Sequence, residues 1–332
     1  MKNRKIRNIA VSALVVIGLF FILKGGFLSG IGKKLAFISY DDEELHTDTD
    51  GSEDESASGG DADRSAENGG MQSDVDARYL TLPIDENVRD KETYYDYPND
   101  MLAWWFKRDD NHGPSGCDDT LDISEYGAYY LDKNAAEVYE ETGEKVIYLT
   151  FDCGYENGYT NQILDVLEAQ DVPACFFVTK TFIRDNPEIA KRMKEEGHQV
   201  GNHTITHPSM PSKSYEEIIQ EVTGCADYMK EVTGYDMDPY LRPPRGEYSA
   251  RTLMLTHDLG YKTIFWSMAY LDYDVNNQPG VDFVVNHFNK YHHNGAIILM
   301  HNVSASNAGA LDTVITNLKA EGYRFASLNE LE

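Results

Sequence analysis

Basic residues are scarce in this chain. Its 332 residues carry 29 Lys and Arg against 56 Asp and Glu, a formal net charge of −27. Phosphate backbones are gripped by lysine and arginine, so this balance excludes a nucleic-acid binder working through a basic surface. Cysteine is equally sparse. The four, Cys117, Cys153, Cys175 and Cys225, show no paired spacing, which excludes a fold stapled by disulfides. Cys175 and Cys225 lie in apolar-periodic segments, where a thiol behaves as a small hydrophobe. The metalloprotease pattern His-Glu-x-x-His is missing, because Thr204 stands where its glutamate would be in His203-Thr204-Ile205-Thr206-His207.

An uninterrupted run of the ~20 apolar residues that cross a bilayer is also lacking. The N-terminal candidate, Ile9 to Leu23, follows Lys2, Arg4, Lys5 and Arg7 and ends at Lys24. A basic segment before a hydrophobic one is the layout of an export signal. Lys24 can snorkel, and Gly25 to Phe27 extend the apolar length. With no small-x-small cleavage site after the run, residues 1–30 are expected to form an uncleaved signal anchor. That makes the membrane a partner and places the chain in the cell membrane as a single-pass protein, with everything after the anchor outside. Residues 31–78 turn acidic and small, as in Glu53-Asp54-Glu55-Ser56-Ala57-Ser58-Gly59-Gly60. A segment with so little to bury is expected to be a disordered, self-repelling linker.

What the chain does have begins at Tyr79. Residues 79–145 are rich in aromatics, among them Trp104-Trp105-Phe106 and Tyr129-Tyr130. They lack periodicity and are expected to wrap a domain, with the aromatics as packing anchors and sugar stacking as the alternative use of Trp104 and Trp105. From Val146 to the end, residues 146–332, strand-like and helix-like patterns alternate. Strands are expected at 146–151, 174–179, 198–202, 238–242, 263–267, 296–300 and near 323–326. Helices are expected at 160–170, 187–196, 215–233, 249–259, 281–291 and 308–320, with Pro187 opening one and Ser249 capping another. Strict alternation implies about seven parallel strands covered by helices, an α/β fold best met by a distorted (β/α) barrel. A doubly wound open sheet collects fewer strand ends into one pocket.

Asp152, His203, Arg242, Asp272 and His301 all fall just after strands, and barrel strands converge at their carboxyl ends. His203 and His207 have the spacing of facing positions on a helical turn, a common one for paired zinc ligands. Asp152 suits a general base and His301 a general acid. The rigid turn Arg242-Pro243-Pro244-Arg245-Gly246 offers two guanidinium groups. One can pair with Asp152 or another acid, and the other can grip an anionic substrate group.

These motifs, with Phe151-Asp152-Cys153-Gly154-Tyr155-Glu156-Asn157-Gly158-Tyr159-Thr160 and the stretch Trp104 to His112, resemble those of the polysaccharide deacetylases with a NodB-homology domain, carbohydrate esterase family four. The likeness runs from about Met101 to Leu331. It is strongest to the branch of peptidoglycan N-acetylmuramic acid deacetylases that form muramic δ-lactam. The resemblance implies a distorted barrel and metal-assisted hydrolysis of N-acetyl groups on peptidoglycan glycan strands by a monomer. It implies Asp152 as the base, His203 and His207 as ligands of a divalent metal such as zinc, and Arg242 and Asp272 as supports. It further implies His301 as the acid, with Leu299, Tyr273, Tyr155 and Arg245 contacting substrate. Two departures stand out. Most of the family has a second Asp as third metal ligand where this chain has Cys153, which can itself ligate zinc. Asp272-Tyr273 replaces the usual Asp-Trp. Two other readings remain: a deacetylase of another N-acetylated glycan, such as N-acetylglucosamine or chitin-like polymers, and a catalytically inactive glycan-binding module.

Overall fold

A computed structural model describes residues 88–117 and 120–331. The expected anchor at 1–30 and linker at 31–78 lie outside the described residues. Among the described residues no helix is long and apolar enough to cross a membrane. The longest, Tyr215–Thr233, is amphipathic, with Glu216, Glu217, Asp227, Lys230 and Glu231 breaking its apolar stripe. The expectation of a membrane anchor, and with it the membrane partner and single-pass placement, is therefore corrected: no described helix supplies such a span.

The lead-in segment carries three two-residue strands, β1 (Leu102–Ala103), β2 (Phe106–Lys107) and β3 (Gly116–Cys117), and then β4 (Ala128–Tyr129). The regular part adds β5 (Lys145–Cys153), β6 (Ala174–Val178), β7 (Gln199–Asn202), β8 (Tyr240–Leu241), β9 (Glu247–Tyr248), β10 (Lys262–Ile264), β11 (Ala296–His301) and β12 (Tyr323–Phe325). The main sheet runs β11-β5-β6-β7-β8-β10-β4, with β12 also on β5, and every pairing in it is parallel. It curls until Ser267 and Leu299 donate backbone hydrogen bonds to Ile297 and Met268 at 2.9 Å, which link the chain beyond β10 to β11. The result is a curled parallel half-barrel, which keeps the expected α/β class and parallel strands in place of a full barrel, with one strand that the sequence patterns missed. That strand, β4, comes from the aromatic segment and is too short to show a period.

Local chemistry explains the element borders. The helix Tyr215–Thr233 starts at a Ser214–Glu217 capping box and ends at Gly234 in the left-handed region. Pro187 opens the helix Pro187–Glu195. Along β5 the two faces divide cleanly. Ile147, Leu149, Phe151 and Cys153 pack in the larger apolar cluster with residues of the covering helices, such as Ile163, Leu164 and Leu311. Val146 and Tyr148 join a second cluster with Phe177, Tyr240, Ile264 and Ile297. This period-two split is the ordinary pleat of a strand buried on both faces, and it decides which residues can reach the site.

Candidate active site

Asp152 stands on the inner face of β5, two residues beyond Thr150. Arg242 follows β8 and is fully buried, and every nitrogen of its guanidinium donates a hydrogen bond. It donates to Asp152 Oδ1 at 2.8 Å, to Thr150 Oγ1 at 2.8 Å and to the Ile264 and Phe265 carbonyls at 3.0 and 3.3 Å. The Phe177 ring lies 4.2 Å from the guanidinium carbon. A buried cation so held is a fixed clamp on the carboxylate. Burial by itself raises the Asp152 pKa, but Arg242, with His203 and His301, outweighs it and holds the carboxyl below its ordinary value. Asp152 is therefore an ionised base at neutral pH.

His203 leaves β7 with its backbone N–H bonded to the Val178 carbonyl at 3.0 Å. Its Nδ1 lies 2.8 Å from the Arg242 carbonyl. A carbonyl only accepts, so Nδ1 carries the proton and the Nε2 lone pair faces Asp152 Oδ2 at 3.5 Å, beyond hydrogen-bond reach. The His207 ring lies 4.7 Å from that of His203, at 72°. The expected helical turn between them is absent. Residues 203–207 form a tight loop in which Thr204 and His207 take left-handed φ values of 70° and 57°. Glu221 holds the loop by accepting from the Ile205 and Thr206 N–H groups at 2.9 and 2.8 Å. Asn202 Oδ1 accepts from Thr204 N at 2.9 Å. Burial lowers the pKa of both histidines, and His207 is depressed further by His203. Both are neutral imidazoles, the form a metal requires.

His301 ends β11 in register with Asp152. Asp272 accepts a hydrogen bond from His301 Nδ1 at 2.7 Å through Oδ1 and from the His301 backbone N–H at 2.8 Å through Oδ2. Asn307 then donates to Asp272 Oδ2 at 2.6 Å, and Tyr270 donates to Asn307 at 2.9 Å. Burial lowers the His301 pKa, but Asp272, aided by Asp152, outweighs it and raises the pKa above the ordinary histidine value. The shift favours the imidazolium, the form able to give up a proton.

The remaining expected residues divide. Tyr273 packs against His301 at 5.6 Å between ring centroids. Tyr155 is exposed just beyond β5, its carbonyl accepting from Asn302 at 2.9 Å. Leu299 is buried two residues below His301 on the same face of β11. Arg245 sits in a tight turn with φ 61°, close enough for its charge to lower the His207 pKa. Gly246 next to it has φ 65°, and a Cβ there would come within 3.0 Å of the Trp266 ring, so only glycine fits. Cys153 is the exception and is corrected here. The pleat turns it to the opposite face of β5 from Asp152, into the apolar cluster under the helices. Burial pushes its thiol pKa well up, so it remains a neutral thiol in the core. Sequence reasoning missed Thr150, Asn307 and Glu221. A threonine between Leu149 and Phe151 in an apolar strand was the one available signal.

Among the described residues no group of three or more His, Cys, Asp or Glu side chains is gathered for a metal ion. Two neutral imidazoles, one with its lone pair open beside a carboxylate, nevertheless supply two of the three protein donors usual where a zinc-like ion leaves a position to water or substrate.

The geometry agrees with the comparisons. The family model for polysaccharide deacetylase matches residues 139–264. The chain is 45% identical over 236 residues to the peptidoglycan-N-acetylmuramic acid deacetylase PdaA of Bacillus subtilis (strain 168), covering 70% of this chain and 87% of that one. It belongs to the polysaccharide deacetylase family. The solved structure of Bacillus subtilis PdaA, a family 4 carbohydrate esterase, superposes with a TM-score of 0.66, covering 70% of this polysaccharide deacetylase and 97% of that chain at 45% identity. The peptidoglycan-N-acetylglucosamine deacetylase PgdA of Listeria monocytogenes (strain 10403S) is 34% identical over 195 residues, 59% of this chain and 40% of that one. A family pseudoenzyme from Bacillus anthracis matches at 28% identity and a TM-score of 0.55, over 66% of this chain and 72% of that one.

Proposed function

We propose that this polysaccharide deacetylase removes the acetyl group from N-acetylmuramic acid in peptidoglycan, releasing acetate and a free amine. The observation that carries the reading is the pair of clamped groups at neighbouring strand ends: Asp152 on Arg242, and His301 on Asp272, flanking two neutral imidazoles. Asp152 takes a proton from the attacking water, whose oxygen bonds to the acetyl carbonyl carbon. His301 gives its proton to the amide nitrogen as the C–N bond breaks, and the proton on Asp152 resets the pair. Both groups are biased towards the charge this requires, because Arg242 favours the ionised form of Asp152 and Asp272 favours the protonated form of His301. Members of this family typically use a divalent metal. Here His203 and His207 are the residues that would hold it, and when bound it supplies acidity to the water and charge to the developing oxyanion. Leu299, beneath His301, is assigned to the acetyl methyl, and Tyr273 and Tyr155 to the sugar faces.

Choice of muramic acid over glucosamine is assigned to Arg245. N-acetylmuramic acid stripped of its peptide carries a lactyl carboxylate, and N-acetylglucosamine has none. Arg245 is held beside His207 by a turn that forces its backbone into the left-handed region, a strain accepted where a side chain must be aimed. The test is acetate release from defined muramic acid and glucosamine oligomers, with and without chelator. Arg245→Ala is expected to lose on the order of 10-fold or more on the muramic substrate and little on the glucosamine one. Equal losses on both would end the assignment. The inactive glycan-binding reading rests on Cys153, which stands where most relatives have an acid and faces away from the site. Acetate release by the wild-type chain excludes that reading.

A further inference from the structure

The paired tryptophans ahead of the barrel separate completely. Trp104 is 3% exposed and Trp105 58%. Trp104 stacks on Phe265 at 4.5 Å between ring centroids, and its Nε1–H donates to the Trp266 carbonyl at 2.9 Å. It has a complete structural explanation. Trp105 has none of this kind, and folding leaves most of its indole in water, where a large apolar surface is unfavourable.

Its place in the fold gives the indole a use. β1 pairs antiparallel with β9, Leu102 opposite Tyr248 and Ala103 opposite Glu247. The pairing continues one step further, as Trp104 N–H donates to the Gly246 carbonyl at 2.8 Å. Trp105 follows directly on this pairing, and Arg245 directly precedes Gly246. Inward and outward positions alternate along this stretch: Leu102 and Trp104 turn in, and Met101, Ala103 and Trp105 are exposed. At the other end of that outward row, Met101 Sδ lies 3.7 Å from Ser209 Oγ, two residues beyond His207. Met101, Ala103 and Trp105 are thus three exposed positions in alternation, in a segment that touches the residue two beyond His207 at one end and is bonded to Gly246, next to Arg245, at the other.

We propose that Trp105 is a stacking platform for the sugar next to the one being deacetylated, on the Arg245 side of the cleft. This deepens the reading above and rests on it. A glycan strand with one residue over Asp152 and His301 must continue past the rim, and the apolar face of a pyranose ring matches an exposed indole. Trp105 then contributes grip on the polymer and no chemistry.

The test is binding of peptide-free glycan strands, and separately of a single disaccharide unit, to the full chain with Asp152→Asn to prevent turnover. Removing the indole in the Asp152→Asn, Trp105→Ala protein is expected to weaken strand binding about tenfold and to leave disaccharide binding within about twofold. Trp105→Phe should restore most of the loss, and thermal unfolding should be unchanged, because the side chain is exposed. Equal strand binding with and without the indole, equal losses on strand and disaccharide, or no strand binding at all would overturn the proposal. Trp105-dependent strand binding, together with no acetate release from the same strands by the chain with Asp152 intact, would sink the deacetylase reading and leave the platform standing.

Discussion

The two halves of the cleft are built by different means. On the side of β7 and β8, backbone holds the functional groups. His203 is oriented by a peptide carbonyl, His207 sits in a left-handed conformation in a loop pinned by Glu221 through N–H groups, and Arg245 takes the same conformation in the separate turn after β8. Three of the five described non-glycine residues with positive φ, Thr204, His207 and Arg245, lie there. On the side of β11 the backbone is a regular strand followed by a capped helix. There a chain of side chains does the positioning, from Tyr270 through Asn307 and Asp272 to His301. Rigid backbone suits ligands that must meet one point in space. A side-chain relay suits an acid whose pKa has to be set, since a neighbouring carboxylate shifts it directly. Arg242 belongs to both halves, because its side chain clamps Asp152 while its carbonyl orients His203.

Four substitutions test this contrast. The largest effect is expected at the shared centre. Asp152→Asn should reduce kcat on the order of 10³-fold while leaving metal content intact. Loss of metal together with activity would show that Asp152 holds the ion and does not act as the base. Next comes His207→Ala on the backbone-built side. It should weaken metal retention by more than the ~10–100-fold typical of an outer-shell change, measured by metal analysis after dialysis. A fully loaded variant would break the assignment of that half.

On the relay side, Asp272→Asn should lower kcat by about 10²-fold and also change the pH profile. The sign follows from the raised His301 pKa. Removing the carboxylate lowers that pKa, so the protonated acid is lost at lower pH and the alkaline limb moves towards neutrality. An unmoved limb, with kcat alone reduced, would mean that Asp272 only orients the ring. The smallest effect is expected from Cys153→Ser. With its thiol in the core, activity and metal content should stay within about twofold, and stability should fall by roughly 1 kcal/mol. A marked loss of metal would restore Cys153 to the site.

Much of this architecture is legible in the residues. The helices Thr160–Gln170, Tyr215–Thr233 and Val281–Tyr291 fall where the patterns place them, because each has a capping or breaking residue and an apolar stripe. Asp152, His203 and His301 stand out because a polar group just after an apolar strand is rarely accidental in a barrel. β4 leaves no such trace, since two residues carry no period. The helix Lys180–Asp185, with six residues, is too short for an apolar stripe to repeat. The His203–His207 spacing suggested a helical turn, yet a loop with two left-handed residues brings the rings together. Spacing constrains separation along the chain and leaves the path between open. Trp104 and Trp105 looked alike as packing anchors, and only the pairing of β1 with β9 sends one in and the other out.

Residue types and their order along the chain determined the alternating architecture, the proposed acid and base, and the family, because periodicity and side-chain chemistry are local properties. Tertiary structure alone decided that Arg242 grips Asp152 across 90 positions of sequence, and that Asp272 holds His301 across 29. It also decided that Cys153 is denied to the site its neighbour occupies. Those outcomes depend on which strands lie side by side and on which face each pleat presents, and both are set by packing between segments far apart along the chain.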